Sequence, residues 1–530
     1  MRVKIRGRRV WAGIGAALLG VAATTGAAAP PHGPRQDLGP AVTAILDKPR
    51  YEHSQWGVLE VDPETGRTVH DLQGDKFFLP GSVAKLFSVS GTWDTLGGDH
   101  RFTTPVNALG SRSGSVLDGN LAMVAQGDLT MGGRTEPDGT VDFTPIDHTY
   151  ANDIPGATLT PENPLAGLNS IAQEVRSAGI RQVRGNVVVD PRLFTAEPPL
   201  DPLPTPMIVN DNVIDLLTTP TAPGQTAELF WRPQVAPYQV TSTVRTVPAG
   251  GTTDIQVSTN PDGTRITLSG TIAADADPVL RISHIQDPNA FARTALIEAL
   301  ARAGVTVTAP ATGPNPVDLL PASYPAGSRV AAFVSPPYEQ YARLILKVSH
   351  NLGANLGICL MAVAAGSHDC VDGFPVLRAF LERAGVDLAQ VQLADGRGGD
   401  PVDRATPVAV NQILAYWLRT PEADTFRNAL PVLGVDGTLA DNCTDCPAKG
   451  KVWAKTGTVA GFDYLNQQLA VGAETIAGYL DAGNGRLHTF FAGVNNTQAA
   501  DFNGFLEIDD DVADVAAALQ QQAARHSHHH

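Results

Sequence analysis

The chain has 530 residues, more than one ordinary core accommodates, so two or three domains are expected. Its 43% hydrophobic content fits a globular protein, and 52 Gly with 40 Pro make it rich in turns and loops. A formal charge of −16 excludes nucleic acid and an anionic membrane surface as natural partners.

Residues 1–29 read as an export signal. Met1-Arg-Val-Lys-Ile-Arg-Gly-Arg-Arg9 is the basic region, 10–21 the apolar region and Ala27-Ala-Ala29 a small-residue cleavage site. No Cys follows the cut, so a lipoprotein anchor is not expected. The rival is an uncleaved anchor, because 10–29 spans one bilayer; membrane contact is expected only through this segment, if it stays uncut. Gln55-Trp-Gly-Val-Leu-Glu-Val-Asp and Arg67-Thr-Val-His-Asp-Leu read as strands around an Asp-Pro-Glu-Thr-Gly turn, and a helix opens after Pro80-Gly81. Strands are expected at 121–126 and 183–190, helices at 168–178 and 289–303, and a hairpin at 252–272, with Pro-rich linkers at 198–206 and 309–325. Helices at 336–347 and 352–365 follow. Strands around 450–459, 475–481 and 487–494 and a last helix at 512–524 complete one antiparallel sheet flanked by helices. The His-rich tail, 525–530, is set aside from site reasoning.

Export favours disulfides over zinc for Cys359, Cys370, Cys443 and Cys446. Three pairings are possible. Cys359–Cys370 with Cys443–Cys446 is the local solution, and a structural role is expected.

Three short motifs carry chemistry. Ser82 and Lys85 lie in Leu79-Pro-Gly-Ser-Val-Ala-Lys-Leu-Phe87, the one Ser-x-x-Lys of a chain with eight lysines. A three-residue step on a helix brings both side chains to one face, where a lysine stripped of its charge by burial can take the serine proton. Ser349-His-Asn351 interrupts an apolar helical stretch. A second Ser-x-Asn, Ser258-Thr-Asn260, runs into Asn-Pro-Asp-Gly and reads as a hairpin turn instead. Val452-Trp-Ala-Lys455-Thr456-Gly457-Thr458-Val459 alternates like a strand. Taken singly, these are also what a capped helix or a solvated surface lysine would look like.

In this order the motifs are those of the penicillin-recognising serine enzymes. The chain resembles the D-alanyl-D-alanine carboxypeptidases of the class C low-molecular-mass penicillin-binding proteins, especially the actinobacterial ones, over about 47–496. Gly119-Asn-Leu-Ala-Met-Val-Ala-Gln-Gly-Asp-Leu, Asn210-Asp-Asn-Val-Ile-Asp-Leu, Ser335-Pro-Pro337, Asp436-Gly-Thr438 and His488-Thr-Phe-Phe-Ala-Gly-Val-Asn495 are similar to family segments. The resemblance implies an α+β transpeptidase/β-lactamase-like domain of 38–100 together with 331–524. It is split by an inserted region, 101–330, of two smaller nested α/β domains. Ala125-Gln-Gly-Asp-Leu129 departs from the family's Gly-Asp-Pro, and three positions bordering the site depart from the pattern as well. His350 stands where Asp is common, Asn355 where an acid is frequent, and Asp395-Gly-Arg397-Gly-Gly399 replaces an Asp-Gly-Ser-Gly-Leu loop. His350 reads most simply as a substituted non-catalytic position; the alternative is a titratable group beside the site.

The resemblance further implies a serine-type D-Ala-D-Ala carboxypeptidase acting on peptidoglycan stem peptides and inhibited by β-lactams, outside the cytoplasm. Cleavage of peptide cross-links is left open. Ser82 would be the nucleophile, Lys85 its base, Ser349 a proton relay and Asn351 a holder of Lys85. Lys455, with Thr456, Gly457 and Thr458, would bind the terminal carboxylate. The N–H groups of Ser82 and Thr458 would form the oxyanion hole. No metal or organic cofactor is implied. The rivals are a β-lactamase, disfavoured by the long insertion, and a catalytically inactive wall-binding member of the fold.

Overall fold

A computed structural model of the chain describes residues 38–527; the expected export segment, 1–29, and the end of the tail, 528–530, lie outside it. Period-two alternation organises the last third. Strands Val452–Asp463, Gln468–Gly483 and Arg486–Ala499 form an antiparallel meander. Gln55–Asp62 adds to its far edge and Arg67–Leu72 lies outermost, giving five antiparallel strands. Neighbouring residues face opposite ways, and both faces are buried. Ile476, Leu480, Phe490 and Val494 pack under the terminal helices Pro40–Leu46 and Phe502–Ser527, against Val42, Ile508, Val512 and Leu519. Ala477, Tyr479 and Phe491 face the other way, into the main helical core. The meander outruns the segments expected from the sequence because alternation marks only the buried centre. The paired ends from Ala460 to Gln468 need no apolar pattern.

The second face carries a layer of helices: Lys85–Leu96, Tyr338–Lys347, Asn351–Ala364, Gly373–Ala384 and Pro407–Trp417. The first is buried on all sides from Lys85 to Trp93. Its hydroxyls turn inward, Thr92 Oγ1 donating to the Ser88 carbonyl at 2.9 Å and Thr95 Oγ1 to the Gly91 carbonyl at 2.7 Å. That is how polar groups are accommodated in an apolar core. Small residues let the layers close up: a Cβ on Gly357 would lie 2.4 Å from Thr92 Oγ1.

Between the two parts of this frame the chain makes a long excursion. It leaves on Arg101–Ser113 and returns on Arg329–Pro337, which pair antiparallel with one another. Val116–Val124 extends this sheet and takes Gln182–Val183 and Val187–Asp190 as parallel partners. Helices Ala166–Ser177 and Pro288–Arg302 cover it through Leu168, Ile171, Val175, Ala295 and Leu296. From Val213 to His284 the chain is strands and turns without an α-helix, in one three-stranded and one four-stranded sheet. The Ser258 copy of Ser-x-Asn lies there, in hairpin Asp254–Thr259/Arg265–Ala273, with Asn260 closing the turn onto Arg265. No helix among the described residues is long and apolar enough to cross a membrane.

Cys359 is bonded to Cys370 and Cys443 to Cys446. The first pair ties the end of helix Asn351–Ala364 to the 3₁₀ turn Cys370–Asp372, both sulfurs being buried. Its partners are 11 residues apart, a loop whose closure restricts the unfolded chain by about 2–3 kcal/mol. Replacing both cysteines with alanine is expected to lower unfolding stability by that amount in denaturant titrations. An unchanged midpoint would show the crosslink to be energetically idle.

Candidate active site

Ser82 is placed by a segment pinned at several successive points. Phe78 exchanges backbone hydrogen bonds with Ala405, at 3.0 and 3.1 Å. The Asn495 amide brackets Leu79, accepting from its N–H at 2.7 Å and donating to its carbonyl at 3.3 Å. The Thr475 hydroxyl lies 2.7 Å from the Pro80 carbonyl. Gly81, at φ +51°, then turns the chain into a 3₁₀ turn, Gly81–Ala84, that runs straight into helix Lys85–Leu96. Ser82 therefore sits one turn ahead of the helix rather than within it. Two glycines bring this turn onto the Lys455 strand. A Cβ on Gly81 would lie 2.8 Å from Thr458 N, and one on Gly457 would lie 2.3 Å from the Pro80 carbonyl and 2.8 Å from Ser82 N. The backbone N–H groups of Ser82 and Thr458 are neighbours for that reason.

Lys85 is fully buried, and its amino group is the hub of the site. Nζ lies 2.6 Å from Ser82 Oγ, 2.8 Å from Asn351 Oδ1 and 3.1 Å from the Arg397 carbonyl, with Ser349 Oγ at a long 3.5 Å. Burial, then the neighbouring charge of Lys455, pushes its pKa well below the ordinary lysine value; Asp395 opposes the shift. The stereochemistry agrees with a neutral amine. Two carbonyl oxygens can only accept, so they take its two N–H bonds, and the remaining lone pair is left for the Ser82 hydroxyl.

Ser349 stands between two amines. Its Oγ accepts from Lys455 Nζ at 2.9 Å, and Lys455 also donates to the Thr456 carbonyl at 2.7 Å. Lys455 is fully buried, and burial lowers its pKa to about 7, against the pull of Glu474. Glu474, on the strand behind, is raised well above the carboxylate range by the same burial. Thr456 Oγ1 lies 2.7 Å from Thr438 Oγ1, and Thr458 Oγ1 donates to Glu474 at 3.1 Å. The structure thus brings Ser82, Lys85, Ser349, Asn351 and Lys455 into one seam, with Thr456, Gly457 and Thr458 along its sheet side. Among the described residues no group of His, Cys, Asp or Glu is arranged to hold a metal ion.

The D-Ala-D-Ala carboxypeptidase 3 (S13) family matches residues 38–509. The chain belongs to that family. It is 28% identical to the D-alanyl-D-alanine carboxypeptidase of Actinomadura sp. (strain R39), over 81% of this chain and 78% of the relative. It is 21% identical to the D-alanyl-D-alanine carboxypeptidase DacB of Haemophilus influenzae, over 77% of this chain and 81% of the relative. The crystal structure of penicillin binding protein 4 (dacB) from that organism superposes with a TM-score of 0.66 at 20% identity. It covers 91% of this chain and 98% of its own. A structure of the same protein complexed with a β-lactam gives 0.64, also at 20% identity, over 89% and 98%. The S13 fold, an α+β arrangement of antiparallel sheet and helices, is therefore that of this chain.

Several residues around this seam escape a motif search. The Arg397 carbonyl on Lys85 comes from the loop that departs from the family pattern. Asp395 builds that loop by accepting from the N–H groups of Arg397 at 2.9 Å and Gly398 at 2.6 Å. Asn355, the second departure, is buried and holds the same loop, its Oδ1 accepting from Gly396 N at 2.9 Å. Glu474 had a signal: a lone carboxylate in the apolar run Val471-Gly-Ala-Glu-Thr-Ile-Ala is costly unless it serves a neighbour. Tyr150, whose hydroxyl donates to the Ser349 carbonyl, had none, because nothing local marks it.

Gly457→Ala tests the close approach. The backbone gains nothing forbidden, but the methyl meets the Pro80 carbonyl and Ser82 N. A loss of about 1–3 kcal/mol in stability is expected, with acylation by penicillin slowed at least a hundredfold. Wild-type acylation by this variant would mean that the strand and the serine turn move independently.

Proposed function

We propose that the family's D-Ala-D-Ala carboxypeptidase reaction runs here through an acyl-enzyme on Ser82. The 2.6 Å contact of Lys85 Nζ with Ser82 Oγ, with both amine N–H bonds committed to carbonyl oxygens, carries the reading. Lys85 takes the hydroxyl proton as Ser82 attacks the carbonyl of the penultimate D-Ala of a stem peptide. The oxyanion forms between the N–H groups of Ser82 and Thr458, each such donor being worth about 2.7–4 kcal/mol. Ser349, between Lys85 and Lys455, passes the proton to the departing D-Ala amine, and water then frees the acyl group. Asn351 holds Lys85. Lys455, Thr456 and Thr458 take the substrate's terminal carboxylate.

The charge of the seam suits that ligand. Lys455 is poised near neutrality, and an arriving carboxylate favours its protonated form. A β-lactam carries a similar carboxylate beside its reactive carbonyl, which supports inhibition at the same serine. The relatives named above support the substrate class, and a peptidoglycan substrate puts the working enzyme in the cell wall or periplasm. Export through 1–29, with that segment cut or kept as an anchor, completes the proposal. The split peptidase part, 38–100 with 331–524, and the inserted region, 101–330, are supported by the pairing of the departing and returning strands.

Labelling with fluorescent penicillin followed by mass mapping is expected to find the adduct on Ser82, and Ser82→Ala to abolish it in a folded protein. An adduct elsewhere would overturn the assignment.

Lys455→Ala is expected to lower kcat/KM for a D-Ala-D-Ala peptide ten- to a hundredfold more than for a small thioester lacking the carboxylate, the loss of one buried charge-assisted contact at about 1.5–3 kcal/mol. The pH profile follows from the same group. Its pKa is depressed, so the cation needed for the carboxylate is lost as pH rises through about 7, and kcat/KM for the peptide should fall above that value. The bound carboxylate raises the pKa, so the fall in kcat should come at higher pH. Equal losses on both substrates with no alkaline limb would confine Lys455 to acting on Lys85.

A further inference from the structure

Ser349 holds an unusual backbone. It sits at φ +62° between helices Tyr338–Lys347 and Asn351–Ala364, a left-handed conformation that a serine does not adopt unaided. Two contacts from the excursion 101–337 bear on it. The Tyr150 hydroxyl donates to the Ser349 carbonyl. The next residue, His350, is fully buried and caps helix Asn351–Ala364, its Nδ1 accepting from Gly353 N at 3.0 Å. Accepting there requires a bare nitrogen, so the ring's N–H is on Nε2. That atom faces Asp211 Oδ1 at 3.1 Å, off the axis of a full hydrogen bond, and Asp211 Oδ1 has no other polar partner among the described residues.

Asp211 is itself aimed by an unusual backbone. Asn210, Asp211 and Asn212 all have positive φ, at +52°, +52° and +58°. Three such residues in succession persist only where the surroundings over-determine them. Those surroundings are a closed ionic network. Asp211 Oδ2 accepts from Arg134 at 2.8 Å and contacts His148 Nε2 at 2.7 Å. Arg134 also forks onto Asp147, His148 Nδ1 lies 2.6 Å from Asp215, and Arg232 reaches Asp215 at 3.2 Å. Burial disfavours the charged imidazole, but Asp215 and Asp147 override it and raise His148 to about 10. Three carboxylates then face two guanidiniums and one imidazolium, and the charges cancel. Such a satisfied buried network is rigid.

We propose that Asp211, acting through His350, and Tyr150, acting on the Ser349 carbonyl, are positioning residues that hold the Ser349–His350–Asn351 turn against Lys85. The inserted region is then part of the catalytic apparatus, not an appendage. The histidine that departs from the family pattern is the link that this chain uses. The inference rests on Ser349 and Asn351 serving the reaction as proposed above.

The test is penicillin acylation of Ser82, resolved into the saturation constant and the limiting rate, alongside thermal unfolding. His350→Asn keeps an amide oxygen for the Gly353 cap but does not reach Asp211. Its limiting rate is expected to fall roughly tenfold with the saturation constant unchanged. Asp211→Asn should do the same, and the double variant should be no slower than the slower single, because both cut one link. Tyr150→Phe leaves the ionic network whole and should slow the limiting rate several-fold without a change in Tm. Multiplicative losses in the double variant, or wild-type rates in folded His350→Asn and Tyr150→Phe, would overturn the inference. Should Asp211→Asn not fold, those two variants decide. Absence of Ser82 labelling in the wild type would instead defeat the site assignment itself.

Discussion

Two lysine amino groups buried against a single serine hydroxyl set the terms for everything around them. A charged ammonium moved out of water without an anion costs several kcal/mol, and two side by side cost more. Burial pushes the pKa of Lys85 and of Lys455 down, and the charge of Lys455 pushes that of Lys85 down further. The carboxylates nearby do not reverse it. Asp395 spends its oxygens on the backbone of its own loop. Glu474 is pushed toward its neutral acid, and burial, then Asp395, raises Asp403 to about 7. A seam with two amines suits an external anion, while one amine stays free to accept a proton. The acidic surface of the protein makes this local polarity more distinct.

Holding that seam shut is a matter of backbone approach. The serine turn belongs to the helical layer and the Lys455 strand to the sheet, and they touch where neither has a side chain. Gly81 supplies a positive φ as well as room, whereas Gly457 supplies room alone, since its strand conformation suits any residue. Thr475 and Asn495, on neighbouring sheet strands, then fasten the turn through side chains. The sheet is therefore the reference frame for Ser82, even though the serine is on the other layer. Both sheet faces are packed, so a shift of the frame would disturb two cores at once.

This division explains what was legible in the sequence. The meander and the long helices announce themselves by apolar period, and the motif order identifies Ser82, Lys85 and Lys455 because these chemistries need unusual residue types at fixed spacing. The 3₁₀ turn at Gly81 was not legible, since Pro-Gly permits several turns and contact with Gly457 selects one. Strand ends beyond the buried centre were also hidden, because backbone pairing alone extends them. Contacts such as Arg397 O on Lys85 or Tyr150 on Ser349 join positions far apart through a carbonyl or one hydroxyl, and neither leaves a local pattern.

His350 shows how a motif can change while its geometry is kept. An aspartate at that position would cap helix Asn351–Ala364 by the usual side-chain oxygen. The imidazole keeps the cap with Nδ1 and gains a second reach through Nε2. A second aspartate there would face Asp211 across a buried gap and repel it; the histidine turns that encounter into attraction without adding a formal charge. The substitution is therefore conservative toward the helix and constructive toward the neighbouring network. Reading such a position requires knowing what lies opposite it, and here the opposing residue is more than a hundred positions earlier in the chain, on a turn whose three left-handed residues give the carboxylate its direction.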